Sequence, residues 1–168
     1  GPLDETPPTV IDIFPPSGST QLTSKKITVK FSEYMDESSF KNNIKVYPRL
    51  SKSLTWKFKG DEIILTLPDS LDSEKTYIIY LNRNIKDEHG VSLAKTIQLA
   101  YSTGDKISGG EIDGTIYGSG PISVHLWKIN GSPPDSLFAT QPDYITDVNE
   151  DGFYSFSYLA PGNYRVLV

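Results

Sequence analysis

The sequence predicts an all-β chain made of two successive β-sandwiches, and three observations carry that expectation. Apolar residues alternate with polar ones in short runs such as Ile27-Thr28-Val29-Lys30-Phe31, the pattern of a strand with one buried and one wet face. Such runs recur at spacings of about 8 to 12 residues, with turn residues between them. The composition supplies the punctuation and the strand formers: 13 Gly and 12 Pro for turns, 10 Tyr and 7 Phe for pleated, half-buried surfaces.

Bulk properties exclude several function classes. The formal net charge of −5 disfavours nucleic acid and anionic lipid headgroups as partners. No apolar run reaches the roughly 18 residues that a membrane-spanning helix needs. Cysteine is absent, which removes disulfides, thiolate catalysis and cysteine-based zinc sites together, so stability must come from packing.

Residues 1–8 hold three prolines and two acids and read as an extended tether. Residues 9–103 then read as one sandwich. Thr9 to Ile13 opens it, Pro15-Pro16-Ser17-Gly18 breaks the strand, and Ile27 to Phe31 supplies a central strand. Asn43 to Tyr47, Leu54 to Phe58 and Glu62 to Leu67 follow, the last two joined by Lys59-Gly60-Asp61 as a tight hairpin. Tyr77 to Leu81 and Thr96 to Tyr101 complete seven strands, the number that an immunoglobulin-like sandwich needs. Ile27, Val29, Phe31, Trp56, Ile64, Tyr77 and Ile79 are its expected core. Tyr77, at the start of its strand, is placed to turn its hydroxyl back onto upstream backbone as a tyrosine corner.

Residues 104–110 are small and polar and form the expected linker, and residues 111–168 form a second, smaller β unit. Its expected strands are Glu111 to Tyr117, Ile122 to Ile129, Leu137 to Thr140, Tyr144 to Asp147, Phe153 to Tyr158 and Tyr164 to Val168. From Ile107 onward seven acids stand against two bases, so the whole formal charge of the chain lies there and a cation is expected to prefer this unit.

Pro15-Pro16-Ser17-Gly18, followed by Ile27 to Phe31 and Ser32-Glu33-Tyr34-Met35-Asp36, resembles the opening of bacterial Ig-like domains of the S-layer-protein type. Leu71, Tyr77, Ile79, Asp87, Gly90, Leu93 and Ser102-Thr103 fall where that family has its later motif residues, so the resemblance covers about residues 6–104. The opening Gly1-Pro2-Leu3-Asp4-Glu5-Thr6-Pro7-Pro8 is similar to the segment after the lipidated cysteine in bacterial Ig-like surface lipoproteins. The resemblance therefore implies a cell-surface or outer-membrane location, with a membrane contact only through a lipid anchor that this chain does not carry. Gly152-Phe153-Tyr154-Ser155-Phe156 through Tyr164-Arg165-Val166 resembles the signature of carboxypeptidase-regulatory-like and collagen-adhesin B-like domains. That implies a transthyretin-like second sandwich, incomplete here, and neighbouring domains of a longer parent chain as partners.

Two stretches carry candidate chemistry. Asp147, Asn149 and Asp151 place oxygen ligands at alternate positions before Gly152, as the first half of a calcium loop does; no cofactor is expected unless calcium binds there. The same Asx-rich loop is also a good hairpin, and the position that would carry a bidentate Glu is Tyr158. Tyr154 and Tyr158 flank Phe156 on one strand face and, if exposed, would contact a glycan or an envelope protein; the other reading packs them inside. His89 and His125 are the only histidines and neither has a His, Cys or Glu neighbour at metal spacing, which gives zinc little support. No nucleophile elbow, phosphate loop or dinucleotide fingerprint occurs. The sequence thus favours a non-enzymatic structural or interaction module of a bacterial envelope protein over a binding module, and both over an enzyme.

Overall fold

The computed structural model describes residues 5–168; the first half of the expected tether, residues 1–4, lies outside the described residues. The chain divides into two compact units, Gly1–Val46 with Leu50–Ile107 and Tyr47–Arg49 with Ser108–Val168.

The first unit holds β1 (Val10–Phe14), β2 (Lys26–Phe31), β3 (Ile44–Tyr47), β4 (Thr55–Lys59), β5 (Glu62–Thr66), β6 (Thr76–Leu81) and β7 (Ile97–Ser102). They form two sheets, ordered β1-β2-β5-β4 and β3-β6-β7. Alternation along β2 sends Ile27, Val29 and Phe31 inward, all fully buried. They share one core with Tyr77, Ile79 and Leu81 of β6 and Leu99 and Tyr101 of β7. A buried Phe or Leu removes enough apolar surface from water to stabilise by roughly 1.5–3 kcal/mol, so this cluster is the main support of the unit.

Two residues expected in the core are placed otherwise. Ile63-Ile64-Leu65 is apolar throughout, so its phase is not legible in isolation, and pairing decides it. Val29 stands opposite Ile63 and Ile27 opposite Leu65, which turns Ile63 and Leu65 inward to full burial and leaves Ile64 half-buried on the other face. Trp56 stands opposite Leu65 and so lies on the core face, but β4 is an edge strand and Trp56 stays 36% exposed. Exposed Lys57 and Lys59 sit on the same edge, where charge discourages pairing with another chain.

Turn chemistry follows the sequence closely. Lys59 pairs with Glu62 across Gly60-Asp61, and Gly60 takes φ +63°, a conformation most side chains resist. Asp36 caps the 3-10 turn Glu37–Phe40 by accepting the Ser38 amide at 2.9 Å, and Phe40 meets Phe31 and Phe58 edge to face. The Ser17 to Leu22 segment runs along the free side of β7: Gly18 N donates to Ala100 O, Ala100 N to Ser17 Oγ and Leu22 N to Ser102 O. These bonds satisfy an edge that would otherwise be open. Tyr101 is buried, donates its hydroxyl to Pro15 O at 2.8 Å, and burial pushes its phenol well above the ordinary range.

The second unit holds β8 (Gly110–Thr115), β9 (Ser123–Ile129), β10 (Tyr144–Asp147), β11 (Phe153–Leu159) and β12 (Asn163–Leu167), ordered β10-β9-β12 in one sheet and β11-β8 in the other. Val124, Leu126, Phe156 and Leu159 are at most 1% exposed and make its interior. The strand expected over Leu137 to Thr140 is instead a 3-10 turn, Leu137–Ala139. Pro133-Pro134-Asp135-Ser136 starts it, since Leu137 N donates to Pro134 O and Ala139 N to Ser136 O. That turn covers Trp127: Phe138 meets the indole edge to face at 5.2 Å and Thr140 Oγ1 accepts its N–H at 3.1 Å, so Trp127 is 3% exposed.

Candidate functional site

The Asp147 to Gly152 loop connects β10 to β11, which belong to different sheets, so it turns a corner between layers rather than closing a two-stranded ladder. Asn149 organises it. Its Oδ1 accepts the amides of Asp151 at 3.0 Å and Phe153 at 2.9 Å, which uses both acceptor positions of that oxygen, while Gly152 N donates to Asn149 O. Asp147, Glu150 and Asp151 stay exposed around this turn. The loop forms one wall of an open cavity of about 470 Å³, with Tyr117, Gly118 and Ile122 opposite, and Tyr117 is 94% exposed.

Tyr154 and Tyr158 do not form one exposed strip with Phe156. Phe156 is fully buried and both tyrosines are half-buried. Tyr154 stands opposite Gly114 of β8, and its ring occupies the space a side chain would need, because a Cβ at Gly114 would come within 2.8 Å of it. Between Phe156 and Leu159 the pairing with β8 slips and Tyr158 takes φ +60°. This bulge resets the alternation, so Leu159 turns inward where a regular strand would bring Tyr158.

A third group, not foreseen as a unit, lies in the first sandwich. After β2 the chain continues through Ser32-Glu33-Tyr34-Met35, where Met35 bridges Asp87 and Tyr34 O accepts the Glu88 amide. These contacts lay Glu33 beside the Asp87-Glu88-His89-Gly90 loop. Ligand atoms of Glu33, Asp87 and His89 lie within 4.8 Å of one another, and His89 Nδ1 is 3.9 Å from Glu33 Oε2. Asp87 is fully buried; its Oδ1 accepts the amides of His89 and Val91, each at 2.8 Å. Asp87-x-His89 is visible in the sequence, but the partner Glu33 comes from the bend after β2, far away along the chain, and only pairing brings it there.

Comparison with known proteins bears on this geometry. Residues 4–103 match the family described as bacterial Ig-like domain. The chain belongs to that family. Such Ig-like domains occur in cell-envelope and surface proteins and are typically non-catalytic. Among curated proteins, an alpha-2-macroglobulin homolog from Nostoc sp. is 35% identical over 80 residues, 46% of this chain and 4% of the relative, so the chain spans a small part of that protein. Among solved structures, the N-terminal part of the bacterial S-layer protein SbsC is 20% identical with a TM-score of 0.39, over 88% of this chain and 32% of that one. The part of native alpha-2-macroglobulin from Escherichia coli that spans domains MG0-NIE-MG1 is 14% identical with a TM-score of 0.42, over 96% of this chain and 60% of that piece. In the Ig-like domain described here the polar motif residues act on backbone: Asp36 caps, Tyr77 and Thr103 fasten one loop, and Asp87 fastens another.

Proposed function

We propose that this chain is a non-enzymatic structural module of a bacterial cell-envelope protein, spacing or presenting neighbouring domains of a longer parent chain. Its second unit, on this reading, is a transthyretin-like domain of the carboxypeptidase-regulatory type, and the parent is a surface lipoprotein. One observation carries the reading: in the Ig-like unit, the motif side chains Tyr77, Thr103, Ser17 and Asp36 are bonded to backbone that they hold in place. The contacts suit rigidity more than turnover.

Glycan or envelope-protein binding is the second reading, favoured by the exposed Tyr117 at the cavity beside the acidic loop. Tyr154 and Tyr158, half-buried on β11, are the further contacts that this reading assigns. Calcium is our proposal for the loop, with Asp147 and Asp151 as carboxylate ligands and Asn149 setting the turn between them. Titrating the chain with soluble cell-wall glycan fragments up to about millimolar concentration, where weak sites fill, separates the readings. A spacer gives no saturable signal. Saturable binding that Tyr117→Ala or Tyr154→Ala abolishes would establish the second reading instead.

A further inference from the structure

We propose that Glu33, Asp87 and His89 form a binding site for a divalent transition-metal cation of the zinc class. Two independent features meet here. The first is the donor set: two carboxylates and an imidazole whose ligand atoms lie within 4.8 Å of one another. The second is Asp87 itself, which is fully buried, yet whose Oδ2 has no hydrogen-bond partner among the described residues. A buried carboxylate oxygen without a donor is costly, and a bound cation supplies the missing partner.

The geometry suits such an ion. Asp87 cannot swing away, because its Oδ1 is held by the amides of His89 and Val91. The same contact fixes the backbone of His89, so one rigid loop presents two of the three ligands. Any two nitrogen or oxygen ligands of a tetrahedral zinc stand about 3.4 Å apart. His89 Nδ1 and Glu33 Oε2 are 3.9 Å apart, and the His89 side chain is 64% exposed, free enough to close that difference by rotation. Three protein ligands leave the fourth position for water, and exposure of His89 provides the way in. The imidazole decides the metal class: calcium and magnesium take oxygen donors, whereas mixed imidazole and carboxylate donors suit zinc, manganese or cobalt. Binding would tie the connection after β2 to the Asp87 loop.

The rival reading is a surface His89–Glu33 ion pair beside a structural aspartate. Calorimetric titration of the chelator-treated full chain with zinc chloride, and absorption spectra with cobalt(II) chloride, tell the two apart. The proposal expects one equivalent of zinc, cobalt bands of a low-coordinate site, and at least a tenfold loss of affinity in His89→Ala and in Glu33→Gln, by analogy with the 10–100-fold effects of removing even supporting groups. His125→Ala is the control and should bind as the wild type does. His89 is exposed, so its variant should keep the wild-type circular dichroism; Glu33→Gln, nearly the same shape, provides a second readout if it does not. Absence of saturable zinc binding, or binding that both variants leave unchanged, would overturn the site.

Discussion

The Tyr77 hydroxyl, on the second residue of β6, accepts the backbone amide of Asp72 at 2.9 Å. The neighbouring Thr103 Oγ1 accepts the Lys75 amide at 3.0 Å and donates to Asp72 O at 2.7 Å, so two side chains fasten one irregular loop. Tyr77→Phe leaves the ring in the core and removes only the acceptor. Urea unfolding should show a loss of about 1–2 kcal/mol, the range for a hydrogen bond whose partner stays poorly solvated. Thr103→Val should fall in the same range, and the double variant should lose less than the two separate losses together, because both act on one loop.

Core and edge positions of the first sandwich should separate clearly by size of effect. Phe31 is fully buried against Phe40, and Phe31→Ala should cost roughly 3–5 kcal/mol through the cavity it leaves. Trp56 is 36% exposed on edge strand β4, so Trp56→Ala should fall below that range despite the larger side chain removed. Equal losses in the two variants would show that β4 is covered.

Acid should weaken the cap of the first 3-10 turn. The hydrogen bond from the Ser38 hydroxyl, helped by backbone amides, holds the Asp36 carboxyl below its ordinary value of 3.8. A carboxyl lowered in the folded state contributes stability that is complete above the unfolded value and is lost as pH falls through the folded one. Melting temperatures measured from about pH 6 to about pH 3 should therefore fall slightly less in Asp36→Asn than in wild type. The difference should be small, since Asp36 is only half-buried and solvent screens its carboxylate.

Calcium should act on the second unit through Asp147 and Asp151. The expected affinity is in the range of extracellular modules, about 10⁻⁴ to 10⁻³ M, as no bidentate Glu closes the loop. Millimolar calcium should raise the melting temperature relative to chelator, and Asp151→Asn should remove the rise. No change with calcium would leave the loop as an Asx turn built on Asn149 alone.

How far the sequence carried these conclusions depended on where each determinant lies. All seven strands of the Ig-like unit were legible, because short apolar runs and the turn residues that bound them are local signals, and β2 adds a clear alternation. The Tyr77 contact was legible too, because the distance from Tyr77 to Asp72 is short along the chain. Ile64 was misplaced because three successive apolar residues have no phase of their own, and the register with Ile27 and Val29 supplied it. Leu137 to Thr140 looked like a strand, but its preceding prolines start a turn and Trp127 needs the cover. The Tyr158 bulge could not be read from Tyr-x-Phe-x-Tyr spacing, since nothing local marks the slip against β8. Glu33, Asp87 and His89 escaped for the same reason: they meet only across a non-local pairing.

The central claim is that the Ig-like unit is an independent, rigid body supported by the core around Phe31, and its unfolding in isolation tests that most directly. Residues 5–107, expressed alone and unfolded in urea with fluorescence and circular dichroism followed together, should show one cooperative transition. The two probes should coincide, with a slope of about 1–3 kcal/mol per M, as expected of a small two-state domain. A gradual, non-cooperative loss of signal, or probes that disagree, would contradict the account.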